Sequence, residues 1–469
     1  MSDDAMACAS VHASDPPVWQ RLGLGVLAEH VPTAVIDDVL MQTGRVQQRI
    51  RRLPARVTVL FILGLSLFAG IGYRGVWREL VHSGGGAAGR APSSSGLAQA
   101  RRRVGVAPLR ELFTRLRGPR ATPATPGAFL AGLRLVSWDA TQLDVAASQA
   151  NDAVFVPAGG RRGVAAFGKV RLMMLIEVGT HAIIDAVFGT ESEQVQADRL
   201  RPALTAGMLL LGDRNFPSWK LWVRCAESGA HLLWRVKASR LLPRVATFTD
   251  GSWLAVLPRP GTGGRFGCWV RVIEYTVTVT ATDPRTGQFT RRIELFRLLT
   301  TIGDPNLADA GELAACYHQR WESENGYREL KTFQRGPRTV LRSADPDGVY
   351  QEIYAYLITY QAIRTLITQA ADAEGVDPDR LSFTTALRAV RRWITTAATA
   401  STLVLAAALA ATLTEIGHDQ HHRRDRCSPR AVKRSQASYP AKRHAAQPTS
   451  IPVEYHITVI TDPVTCINA

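Results

Sequence analysis

The sequence predicts a mixed α/β fold: a sheet-based core with helical segments before and after it. Three observations carry this. Apolar runs of strand length alternate with segments of helical spacing between Leu133 and Val236, a second strand-dense stretch broken by Pro/Gly/Asp-rich turns fills 240–300, and helical periodicity dominates 20–80 and 348–415. With 469 residues, 46% of them apolar, the chain can bury a sizeable core, and its composition excludes a collagen-like or wholly disordered polymer.

The charge balance, 56 Lys+Arg against 40 Asp+Glu, gives a net charge of +16, which points to a polyanionic partner and first of all to a phosphate backbone. Six scattered cysteines form no CxxC pair, which argues against a disulfide scaffold or a structural zinc site and suits a reducing compartment. No basic-then-apolar signal peptide opens the chain, so a cytoplasmic, nucleoid-associated protein is expected. Two apolar runs, Val57 to Tyr73 and Ile394 to Thr414, approach the length of a bilayer span. Gly64, Gly70 and Gly72 interrupt the first and Ala and Thr dominate the second, so both read as buried helices and no membrane contact is expected.

In chain order, 1–19 is expected to be a disordered N-terminus and 20–120 a helical DNA-binding domain. Within the latter, an amphipathic stretch follows Pro32-Thr33 and a second helix runs from about Pro54 to Phe68. Between Arg74 and Arg120 ten Arg face two acids, Glu79 and Glu111, around the Gly/Ser tracts 83–86 and 93–96. A strand-rich core over 130–239 and 301–345 starts with a strand from Leu133 to Trp138. A hairpin joins Leu172–Val178 to Ala182–Phe188, and a helix follows from Glu191 with Thr190 as its cap. The run Met208–Leu211 reads as a strand buried on both faces, before a helix over 218–228 and a strand from His231 to Val236. The β-rich insertion occupies 240–300, where Trp253 and Trp269 read as packing residues, as does Trp234 before it. A single long helix is expected from about Ala308 to Phe333, then C-terminal helices over 346–416 and a basic tail over 417–469, with a strand-like last twenty residues. His418, His421 and His422 fall in that tail beside arginines and read as solvated.

Three acids stand out. Asp139 ends the first core strand and Asp213 ends the buried one, and in an open α/β sheet the carboxyl ends of strands converge on one crevice. A carboxylate directly after four apolar residues is costly to desolvate unless paired or bound to a cation. The third is Glu324, in YHQRWESENGYRELK (317–331). On an ideal helix Tyr317, Arg320, Glu324 and Lys331 fall within a sector about 60° wide, with Glu322 and Glu329 roughly opposite. One carboxylate between two cations and a phenol suits metal binding flanked by phosphate-gripping side chains.

The spacing Tyr317-x2-Arg320-x3-Glu324-x6-Lys331 resembles the Tyr-Arg-Glu-Lys signature of the insertion sequence 4 family of DDE transposases. Asp139 in WDAT and Asp213 in GDRNF resemble that family's first and second catalytic aspartates, and the N-terminal helical unit and the tail CSPRAVKR (427–434) also look like bacterial members. Asn215 stands where such enzymes carry a small residue, and Phe296 where related enzymes place a Trp that stacks on a flipped base. The resemblance implies an RNase H-like mixed-sheet core interrupted by the insertion. It implies that Asp139, Asp213 and Glu324 are catalytic and hold two Mg2+ ions, which Mn2+ can replace. Arg320, Lys331, Tyr317 and Phe296 become DNA contacts. The implied activity is cleavage at inverted-repeat ends through a hairpin intermediate and joining to target DNA, in a homodimer that pairs two ends. Two rivals remain at this stage: an RNase H-like nuclease that cuts without joining, and a DNA-binding protein that has lost catalysis.

Overall fold

The computed structural model describes residues 24–47, 53–81, 91–157, 159–160, 163–263, 266–282, 287–337, 339–396, 402–421 and 453–461. The expected disordered N-terminus, the tract at 83–86, the segment 427–434, His422 and most of the basic tail lie outside them.

Five helices come first: α1 (Thr33–Gln42), α2 (Ala55–Leu67), α3 (Tyr73–Val81), α4 (Ser94–Val104) and α5 (Ala107–Leu116). Helix α2 is the first of the two apolar runs. Every residue in it except Arg56 is buried, and Arg56 pairs with Asp37 of α1. It is a core helix, and among the described residues no helix is long and apolar enough to cross a membrane.

The centre is an eleven-stranded sheet. Its main strands are β1 (Leu133–Val145), β2 (Gly168–Glu177), β3 (Ile183–Gly189), β4 (Met208–Gly212), β5 (His231–Val236), β6 (Trp253–Pro258), β7 (Gly267–Thr282), β8 (Phe289–Thr300) and β9 (Val453–Val459). They lie in the order β3-β2-β1-β4-β5-β8-β7-β6, with β9 also on β7. Strand β4 runs parallel to both β1 and β5, and the other neighbours are antiparallel. A strand held between two parallel neighbours is covered on both faces, which is why Met208–Leu211 is apolar without alternation. The β-rich stretch is not a separate layer: β8 pairs with β5 and carries the same sheet onward. Trp234 and Trp253 are core residues there, whereas Trp269 is 60% exposed on β7.

Strand parity sorts the two faces. Val136 and Trp138 of β1 and Leu210 of β4 pack beneath α6 (Glu193–Leu200) and α7 (Trp219–Ala226). The cap of α6 is Ser192, not Thr190: the Ser192 hydroxyl accepts the Val195 N–H, and the helix starts two residues later than its spacing suggested. On the other face Leu135, Leu209 and Leu211 pack with Leu313, Ala314 and Tyr317 of α8 (Ala310–His318). Beyond them lie α9 (Trp321–Arg328) and α10 (Pro346–Glu374), the latter covering Leu143, Met174 and Ile176.

Helices α1 to α5 share one apolar core with α10 and with α11 (Phe383–Thr396). The second apolar run is buried only in part. Its last helix, α12 (Thr402–His418), turns Ala408, Thr412 and Ile416 inward but leaves Leu403 82% exposed.

Candidate active site

Strand β4 pairs with β1 only from Arg134 to Ser137, so the sheet opens just beyond Ser137. Asp139 lies at that opening. It does not end its strand, as the sequence suggested, because β2 continues to pair with β1 as far as Val145. Asp213 does follow the last residue of β4 directly. A Cβ on Gly212 would sit 2.6 Å from the Trp234 ring, so only glycine lets the end of β4 pass that indole and deliver Asp213 to the opening. Asp139 continues the parity of Leu135, which packs on the α8 face. Each aspartate accepts a backbone N–H with Oδ1, from Ala140 at 2.7 Å and from Arg214 at 2.6 Å.

The helix expected over 308–333 is three pieces. An Asp309–Glu312 capping box starts α8. At its end Gln319 and Arg320 bond to Cys316 and Tyr317, and Glu322 and Ser323 to Gln319 and Arg320, each three residues back, so the chain tightens before α9. After Arg328 a π turn runs from Glu329 to Gln334. A constant 100° per residue therefore does not describe 317–331.

Within this broken helix, the signature residues take different surroundings. Tyr317 is only 4% exposed, and its hydroxyl donates to the Gly212 carbonyl at 3.3 Å. Burial pushes the phenol up to about 12, and it ties α8 to the residue before Asp213. Arg320 reaches Glu324 Oε1 at 3.5 Å. Lys331 sits in the π turn and donates to the Thr141 hydroxyl at 2.7 Å, two residues along β1 from Asp139; burial and the Arg335 charge hold its ammonium below the usual range. Phe296 is 9% exposed, stacked on Tyr275 at 5.2 Å with the Arg235 guanidinium 3.9 Å from its ring centre.

Three carboxylates from three separate segments act on one another. Burial raises Asp139 to about 6; its Ala140 hydrogen bond and Arg320 oppose the rise, and Glu324 and Asp213 add to it. Burial disfavours the Arg320 cation, but Tyr317, Asp213, Glu324 and Asp139 together hold its pKa above the ordinary guanidinium value. Among the described residues no three His, Cys, Asp or Glu side chains cluster closely enough to cage one ion. A hard cation such as Mg2+ needs no such cage, because it binds one or two carboxylates and fills its shell with water and phosphate oxygens. An all-oxygen donor set that raises the pKa of its own buried member fits such a cation.

Comparison with known proteins gives the family. Residues 21–114 match the family described as insertion element 4 transposase N-terminal, and residues 134–361 match the transposase DDE domain. The chain is 28% identical over 357 residues to the transposase InsG for insertion sequence element IS4 of Escherichia coli K12, covering 73% of this chain and 76% of that protein. It is 26% identical over 229 residues to the putative transposase InsZ of the same organism, covering 48% of this chain and 75% of that protein. The chain belongs to the insertion element 4 family of DDE transposases. It is a transposase, a metal-dependent enzyme that cleaves DNA.

The transposase also contains two features that sequence reasoning passed over. Glu322 and Glu329, set aside as the opposite side of the helix, close a buried ion network. His181, at φ 56° in the β2–β3 turn, places Nε2 3.1 Å from Glu322 and Nδ1 3.3 Å from Glu329. Tyr360 donates to Glu329 at 2.8 Å, and the fully buried Arg364 approaches it at 3.5 Å. Burial and the Arg364 charge push His181 down, but Glu329 and Glu322 outweigh them and raise it to about 9. Burial pushes Glu329 up, and Arg364, His181 and Tyr360 reverse this to about 2. The second feature is Tyr327, whose hydroxyl accepts the Met174 N–H at 2.7 Å and donates to the Asp139 carbonyl. The signal for both was available only as buried-looking polar residues on a helix; their partners lie far away in sequence.

Proposed function

We propose that the transposase binds the inverted-repeat ends of an insertion element, cleaves the DNA by hydrolysis and transesterification, and joins the freed ends to a target. Asp139, Asp213 and Glu324 hold two magnesium ions, and Mn2+ can replace them. When bound, such ions supply an activated water or 3′ hydroxyl for in-line attack and neutralise the leaving oxygen. Arg320 offsets the charge of the three carboxylates and steadies the phosphate at the scissile bond. Lys331 adds a second cation beside β1, and Tyr317 holds the end of β4 so that Asp213 faces the same space. The strand order β3-β2-β1-β4-β5, with β2 antiparallel to its neighbours and β4 parallel to its own, supports an RNase H-like core. The N-terminal helices and their solvent-facing arginines, Arg74, Arg78, Arg102, Arg103 and Arg110, bind the repeat, whereas Arg101 is held inside the protein; two copies pair two ends, and the work on chromosomal DNA keeps the protein at the nucleoid.

The observation that carries this reading is geometric: the sheet opens beyond Ser137, Asp139 and the residue directly after β4, Asp213, lie at that opening, and Arg320 and Glu324 are near enough to act on the buried Asp139. The test uses the full-length protein and a duplex bearing the inverted repeat that flanks its gene, in Mg2+. Wild type is expected to cut at the repeat and yield strand-transfer product. Asp213→Ala is expected to bind the duplex and leave it uncut; cutting that persists there would remove the triad from the mechanism. Cut ends without joined product would show a nuclease instead.

A further inference from the structure

Helix α9 carries Glu324 and, one turn on, Tyr327. The ring of Tyr327 is buried, and its hydroxyl meets the two strands where Asp139 and Met174 are paired in register, taking the Met174 N–H at 2.7 Å and giving its proton to the Asp139 carbonyl. This is a backbone clamp on a residue whose side chain faces the site. It differs from the other buried tyrosines of this region: Tyr360 donates to the Glu329 carboxylate and Tyr317 to a carbonyl on β4. Tyr327 links the element that bears Glu324 directly to the main chain of Asp139.

We infer that Tyr327 is a positioning residue that sets the spacing between the Asp139 and Glu324 carboxylates, and so the affinity of the divalent ion these two share. The inference rests on the proposed assignment of both acids as metal ligands. Two carboxylates on separate elements, a strand and a helix, can share an ion only if those elements keep a fixed separation. The sheet fixes Asp139 against β2 and β4, and the His181 network and Lys331 hold α9 and the turn after it at other points, none of them at the Asp139 main chain. A hydrogen bond from a rigid ring holds α9 there, and it leaves both carboxylates free to bind. Removing outer-shell supports of this kind weakens metal binding on the order of 10- to 100-fold.

The test is a Mn2+ titration followed by electron paramagnetic resonance, on full-length protein bound to the inverted-repeat duplex. Thermal unfolding and duplex affinity are measured alongside. Tyr327→Phe is expected to bind the duplex as wild type does and to weaken Mn2+ on the order of tenfold. Its cleavage is expected to recover as Mn2+ is raised, so that the metal requirement moves more than the maximal rate. If Tyr327→Phe does not fold, Tyr327→4-fluorophenylalanine fills the hydroxyl's volume without donating, and the same tenfold loss is expected. Wild-type Mn2+ affinity in either folded variant overturns the inference. Asp139→Asn separates the two readings: if it binds Mn2+ as wild type does, the assignment of the ligands fails, whereas a loss there with none at Tyr327 sinks only the clamp.

Discussion

Helix α9 and the π turn that follows present acids in opposite directions, and the two groups have opposite electrostatics. On one flank Glu324 meets Asp139 and Asp213, and the buried Asp139 is raised to about 6 because Arg320 alone does not offset burial and its acidic neighbours. On the other, Glu329 lies between His181, Arg364 and Tyr360 and is lowered to about 2. In the first group burial dominates the buried carboxyl, whereas in the second a His, an Arg and a Tyr reverse the effect of burial. On the proposed reading the first is the cation-binding face of α9, and the second is its anchor.

Breaking the anchor side is expected to have the largest effect on stability. Glu329→Ala leaves Arg364 and His181 buried without their anion and is expected to cost roughly 3–5 kcal/mol in urea unfolding; a loss under about 1 kcal/mol would mean that the network contributes little. The pH dependence sharpens the same contrast. His181 is raised from 6.5 to about 9, so its contribution is complete below 6.5 and disappears as pH rises through about 9. Glu329 is lowered from 4.5 to about 2, so its contribution is complete above 4.5 and is lost as pH falls through about 2. The contribution of this pair is therefore flat between 4.5 and 6.5 and falls by roughly 3 kcal/mol toward pH 9 and above, a fall that His181→Gln removes.

The Asp139 side should behave in reverse and by less. Asp139 is raised from 3.8 to about 6, so at neutral pH its ionised form opposes folding. Asp139→Asn keeps an Oδ1 for the Ala140 N–H and is expected to raise the stability of the metal-free protein by roughly 1–3 kcal/mol while abolishing cleavage. Melting curves without divalent ions, read beside a cleavage assay, check both halves; a destabilised Asn variant would contradict the account.

Much of this arrangement is local enough to read from the chain. His231–Val236 forms the expected strand because an apolar run between a Gly turn and a polar loop leaves few alternatives. Asp213 is legible for the same reason, since Gly212 closes a strand buried on both faces. Asp139 is legible as a residue and not as a strand end, because the place where β1 stops depends on how far β2 accompanies it. The break after His318 and the π turn at Glu329 leave no mark in the hydrophobic period; the π turn carries Glu329 to His181 and Arg364, which no window around residue 324 contains. The partners of Phe296 and Tyr317, which are Tyr275 and Arg235 for the first and the Gly212 carbonyl for the second, lie outside any local window and leave no mark in the sequence.

The most direct test is anomalous scattering from crystals of the protein with inverted-repeat DNA and Mn2+. Two peaks are expected, one between Asp139 and Asp213 and one between Asp139 and Glu324, each completed by oxygens of the scissile phosphate or water. Peaks bound elsewhere, in crystals whose dissolved protein still cleaves the repeat, would contradict the claim that these three acids are the metal site.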